Sequence, residues 1–156
     1  MTAATASNLG TLPWMQIAQA FERMGVIEQP GTKHHPLILW FHQQTSLKAT
    51  TDEVPWCSAF ACAVMEMAGH KSPRSAAARD WLKWGKPLDK PAFGCIVVFD
   101  RADPSNKSAA HVAFWWGDRA DNRVDVLGGN QSNKVCVAPY DKSDAIGYRW
   151  PAVAFP

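Results

Sequence analysis

Asp52-Glu53-Val54-Pro55-Trp56-Cys57-Ser58-Ala59-Phe60 is the stretch from which the rest of the chain is read. Pro55 carries the fixed φ that suits a first helical turn, and Phe60, Val64 and Met67/Ala68 recur at a helical period until Gly69 can end it. Cys57 therefore opens a largely apolar helix. There its sulfur meets the unpaired N–H groups and the positive dipole end of the helix, which favour thiolate over thiol. A cysteine in apolar company is more often a small buried hydrophobe, and it is the helix-start setting that turns the reading of Cys57 toward a nucleophile.

On the N-terminal side, Trp14, Ile17, Ala18 and Phe21 lie on one face of a predicted helix from Pro13 to Met24, with Gly25 as its stop. Leu37, Trp40 and Phe41 mark a second helix from Pro36 to Gln44, and the polar residues from Thr45 to Asp52 connect it to Cys57. On the C-terminal side, Ser72-Pro73 can cap a further helical segment, Ala76 to Trp84. Past Pro87 and Pro91 the pattern changes to short β-branched and aromatic runs: Cys95–Phe99, His111–Trp116, Arg123–Leu127, Lys134–Ala138 and Ile146–Trp150. Helices followed by strands predict an α+β domain whose N-terminal helices pack on an antiparallel β-meander. Residues 1–12 read as a flexible tail and 13–156 as a single domain.

Composition narrows the function. A chain of 156 residues with 47% apolar content and eight tryptophans can fill one sizeable core. A net charge of +2 without a lysine/arginine run gives no footprint for nucleic acid. The four cysteines form no C-x-x-C pair, and setting Cys57 aside leaves an odd number, so neither a zinc knuckle nor a complete disulfide framework is predicted. No H-E-x-x-H occurs, and no metal or cofactor is expected. No apolar run reaches the roughly 20 residues of a membrane-spanning helix, so no stable membrane insertion is expected.

A cysteine nucleophile needs an imidazole to take its proton and return it to a leaving amine. Of five histidines, His34 and His35 lie in a turn before a proline, His42 falls on a predicted helix and His70 follows a helix stop. His111 instead begins a strand after a polar loop, where a rigid element can aim its ring. His111, Ala113 and Trp115 share one strand face, and small Ala113 could leave room for a helix end. A hairpin closed by residues 119–122 pairs His111 with the neighbourhood of Gly128–Asn130. Asn130 then becomes the group that would orient the imidazole, and Cys57, His111 and Asn130 the candidate triad. Gly-Gly-Asn-Gln-Ser is equally an ordinary turn composition, and Gln131 could orient His111 or contact substrate instead. Asp52 and Glu53 could cap the Cys57 helix or bind a substrate ammonium. Asp52, Trp56 and Gln131 are the expected substrate contacts.

With these residues in view, the chain resembles the CHAP-like, NlpC/P60-type cysteine peptidases of bacteria and phages. The likeness rests on Pro36…Thr45, the stretch from Asp52 to Phe60, Ala76…Arg79-Asp80-Trp81-Leu82-Lys83-Trp84-Gly85, Gly94-Cys95-Ile96-Val97-Val98-Phe99, His111-Val112-Ala113-Phe114, Leu127-Gly128-Gly129-Asn130-Gln131 and Gly147-Tyr148-Arg149-Trp150-Pro151. The resemblance implies a papain-like fold and a peptidoglycan hydrolase that cuts an amide of the stem peptide or the bond between muramic acid and L-alanine. It implies Cys57 as nucleophile, His111 as general base and Asn130 in the third position, where related domains often carry glutamate or asparagine. Cys95 departs from the pattern, standing where similar proteins often have an acidic, usually structural residue.

Residues 1–8 lack a basic region followed by an apolar one, so no secretory signal is read there. The expectation is a bare catalytic domain made in the cytoplasm. It would reach the wall through a phage holin or a secretion machine and, if injected, would be matched by an immunity protein. Two readings compete: a transpeptidase using the same groups, and a non-catalytic wall-binding module in which Trp81, Trp84, Trp115 or Trp116 stacks on sugars.

Overall fold

A computed structural model describes residues 12–152. The expected tail therefore lies outside the described residues except for Leu12, which is half-buried against the core. Three α-helices follow the predicted periods: α1 (Pro13–Arg23), α2 (Pro36–Gln43) and α3 (Cys57–Met67). Pro13 and Pro36 each occupy a first-turn position, where a missing N–H costs nothing. Phe21, Phe41 and Phe60, one from each helix, meet edge to face with centroids 5.1–6.1 Å apart. Full burial of such side chains contributes about 1.5–3 kcal/mol apiece, which is what holds the helical layer together.

The segment predicted as a helix from Ala76 to Trp84 is instead a 3₁₀ helix, Ala78–Lys83. Ser75, not Ser72, organises its start: Ser75 Oγ accepts from the Ala77 N–H at 3.0 Å and donates to Asp80 Oδ2 at 2.5 Å. Trp81 anchors it to α3, its Nε1 donating to Ser58 Oγ at 2.8 Å.

The strands are β1 (Lys86–Pro87), β2 (Ile96–Asp100), β3 (Ala110–Asp118), β4 (Arg123–Gln131), β5 (Lys134–Asp141) and β6 (Ala145–Trp150), with a second 3₁₀ turn, Lys142–Asp144, before β6. They form one six-stranded antiparallel sheet in the order β1-β6-β2-β3-β4-β5. The expected meander holds from β2 to β5. It fails at β6, which returns to pair with β2 on the far side, and β1 adds a short pairing that no hydrophobic run announces.

One sheet face, carrying Ile96, Val98, Val112, Phe114 and Leu127, packs on the helices. The other carries Cys95, Val97, Phe99, Ala113, Trp115, Val124 and Val126. In a flat sheet β5 would stand about 14 Å from β2, three strand spacings away. Tyr140 of β5 nevertheless stacks on Phe99 of β2 with centroids 4.8 Å apart. The sheet is therefore curled toward this face, and its second core fills the concave side.

Candidate active site

Cys57 is the first residue of α3. Its sulfur is reached by the backbone N–H groups of Val112, Ser58 and Cys57 itself. The Val112 contact follows from strand geometry. Successive N–H groups along a strand point to alternate sides; the Trp115 N–H bonds to Cys95 O on the β2 side, so the Val112 N–H faces β4. The β3–β4 ladder, however, begins only at Phe114–Leu127. Beyond that pair no β3–β4 bridge forms; β4 bends through a register shift against β5 between Gly128 and Gln131, and the start of α3 packs on it there. The bend is possible because Gly129 lies against the helix: a Cβ there would sit 2.6 Å from Phe60 Cβ and 2.8 Å from the Trp56 ring.

His111 is the second residue of β3 and is fully buried on the concave face, with Tyr140 stacked over its ring at 4.9 Å and 8°. Its Nε2 lies 2.9 Å from Gln131 Oε1. Gln131 Nε2 donates to the carbonyls of Cys136 at 2.7 Å and Val126 at 3.3 Å, which leaves Oε1 as an acceptor. The imidazole therefore carries its proton on Nε2 and its lone pair on Nδ1. That lone pair accepts from Arg101 Nη2 at 3.2 Å.

Gln131 thus stands where Asn130 was expected. Had β4 kept its alternation, Gly128 and Asn130 would share a face. Asn130 instead adopts a left-handed conformation, φ 56°, in the bulge, which shifts the side-chain alternation by one and turns Gln131 inward. Gln131 folds back over Gly128, where a Cβ would come 2.6 Å from Gln131 Oε1 and 3.0 Å from Ala113 Cβ. The space beside small Ala113 consequently receives Gln131 rather than a helix end. Ser132 and Asn133, both left-handed at φ 52° and 63°, close the two-residue β4–β5 turn.

The expected substrate contacts Asp52 and Trp56 are both buried in the structure. Asp52 is fully buried and accepts from the Gln29 N–H at 2.8 Å, the His35 N–H at 3.0 Å and His34 Nδ1 at 3.2 Å. It fastens two loops together and does not cap α3. Burial opposes its charge, but those donors outweigh it and hold the carboxyl below its ordinary value of 3.8. Trp56 is also fully buried, stacked on Phe41 with its Nε1 donating to Glu28 Oε1 at 2.9 Å.

Electrostatically the site rests in its neutral form. Burial pushes the Cys57 thiol up, outweighing the Val112 N–H, the Arg101 charge and the helix-start N–H groups that favour thiolate. The sequence-based expectation of a ready thiolate is reversed, because Cys57 is only 7% exposed. Burial likewise lowers His111 from 6.5 to about 4; the Gln131 bond opposes this and the Arg101 charge adds to it. Neutral thiol and neutral imidazole are the consistent pair, and no hydrogen bond joins them among the described residues. Arg101 and Tyr140 are the members of this cluster that periodicity missed. Only the polar loop before His111 and the aromatic in β5 hinted at them.

Among the described residues no group of three or more His, Cys, Asp or Glu side chains could hold a metal ion, and no helix is long and apolar enough to cross a membrane. No protein-family model, curated protein or solved structure matches the chain.

Proposed function

We propose that the chain is a cysteine-dependent hydrolase of peptidoglycan amides, with Cys57 as nucleophile, His111 as general base and Gln131 rather than Asn130 as the residue that orients it. The observation that carries this reading is the start of β3, where the Val112 N–H reaches the helix-start thiol of Cys57 and the preceding residue, His111, is held through Nε2 by Gln131 Oε1 at 2.9 Å, which leaves Nδ1 as its unprotonated nitrogen. The substrate and a papain-like fold come from the family resemblance of the sequence.

The chemistry runs through a thioester. The Sγ–H proton passes to His111 Nδ1 as sulfur attacks the amide carbonyl carbon, and the oxyanion draws on N–H groups at the start of α3. Collapse breaks the C–N bond, and His111 returns the proton to the departing amine. Water, deprotonated by the same nitrogen, then cleaves the thioester and restores the thiol. A neutral starting pair suits this sequence, since the base is unprotonated at neutral pH. If an amine replaced water in the second half, the same groups would carry out transpeptidation. The protein would act on the cell wall after delivery by a lysis or secretion system.

The wall-binding alternative is weakened by the tryptophans it needs. Trp81 and Trp115 are buried, and Trp84 Nε1 donates to the Lys71 carbonyl at 2.7 Å. Mass spectrometry of muropeptides after incubation with wild-type and Cys57→Ala protein tests the proposal: new amide-cleavage products from the wild type alone support it. Identical products from both proteins, or none from either, reject it.

A further inference from the structure

Arg101 stands out among the charged groups around the site. It follows β2 on an exposed stretch, 101–109, tied at its ends by the Arg101 N–H bond to Ala109 O at 3.1 Å. The carboxylates nearest in sequence are engaged elsewhere. Asp100 Oδ1 holds Arg79 Nη2 at 2.9 Å and the Ala102 N–H at 3.2 Å, while Asp103 Oδ1 holds Ser105. Arg101 forms no ion pair among the described residues; its guanidinium turns inward to His111 Nδ1 at 3.2 Å. Its charge also acts on the Cys57 thiol and on the Tyr140 hydroxyl. A permanent cation thus sits among groups that are neutral at rest, and it occupies the lone pair that the base must use.

We propose that Arg101 is a substrate-anchoring latch: it leaves His111 Nδ1 to bind a carboxylate on the acyl part of the substrate, freeing the base only when an anionic peptide is in place. The inference rests on the proposed role of Cys57 as a nucleophile toward amides and narrows its substrates to those with a free carboxylate beside the scissile bond. Exchange of a neutral acceptor for a carboxylate strengthens the guanidinium's hydrogen bonds, which compensates for loss of the imidazole contact. Neither partner of the latch changes covalently.

The test uses iodoacetate and iodoacetamide, thiol reagents of similar size that differ in carrying a carboxylate. Alkylation of Cys57 is followed by peptide mass mapping, and the iodoacetate/iodoacetamide rate ratio is divided by that of Cys57 in the urea-unfolded chain. In the folded wild type this normalised ratio is expected to exceed one by about five- to tenfold at low salt and to fall as salt is added. It should collapse to near one in Arg101→Gln and be partly kept in Arg101→Lys. A wild-type ratio near one, or an equal preference in folded Arg101→Gln, overturns the latch. Because this readout needs no peptidoglycan, it separates the two ideas. Wall cleavage with a flat ratio removes the latch alone, whereas a salt-sensitive, Arg101-dependent ratio without wall cleavage keeps the anion site and removes the proposed substrate.

Discussion

Gln131 Oε1 lies 2.9 Å from His111 Nε2, and both side chains are buried. With its amide N–H groups directed to the Val126 and Cys136 carbonyls, Gln131 presents a single fixed acceptor. This bond sets the tautomer and leaves Nδ1 as the imidazole's basic atom.

Gln131→Ala is therefore expected to lower turnover about 10- to 100-fold, the range for loss of a group that orients a functional imidazole. Asn130→Gly should leave turnover within about twofold, since glycine accepts the φ of 56° at Asn130 without strain. Muropeptide release per folded molecule, measured for both variants, checks the assignment; the reverse order would return Asn130 to the triad.

Gly128 and Gly129 should respond differently to alanine. A Cβ on Gly129 meets Phe60 and Trp56 in the helical core, so Gly129→Ala should destabilise the fold by about 1–3 kcal/mol. A Cβ on Gly128 meets first Gln131 Oε1, at 2.6 Å, and then Ala113 Cβ, at 3.0 Å. Gly128→Ala should displace Gln131 from His111 and lower turnover more than stability. Urea unfolding alongside turnover separates the two.

Cys57→Ala should abolish hydrolysis and leave a folded protein. Cys62 lies five residues later on α3, about 140° around the axis, where its sulfur is buried within 3.8 Å of the Ser75 carbonyl. Cys62→Ala should keep its turnover and lose about 1 kcal/mol of stability. Circular dichroism melting and muropeptide release together check both variants.

Stability should fall on acidification between about pH 6.5 and pH 4. His111 has a folded value of about 4 against 6.5 unfolded, so within that window the unfolded chain binds a proton that the folded one does not. Its contribution, on the order of 3 kcal/mol, is complete above pH 6.5 and is lost as pH drops toward 4. His42 and His70 are lowered by burial and act with the same sign. Asp52, held below 3.8, loses its contribution only at lower pH. Urea midpoints of wild type and His111→Gln from pH 7.5 to 4.5 should show a shallower slope in the variant.

What the sequence determined by itself was local and periodic. Pro13, Pro36 and the apolar repeat after Cys57 placed the helices, and alternation placed β2 to β5 and the hairpin of residues 119–122. Cys57 and His111 could be singled out because a helix start and a strand start are local features. Tertiary structure decided the rest. The return of β6 beside β2 is a long-range choice that no local pattern encodes. The left-handed turn at Asn130 shifted the alternation by one and exchanged Asn130 for Gln131 at the imidazole, a change invisible to a count that assumes regular strands. The burial of Asp52 and Trp56, and the desolvation that keeps the thiol protonated, depend on what packs around them, and Arg101 meets His111 because β2 pairs with β3 in the register that sets Phe99 opposite His111 and Arg101 diagonal to it.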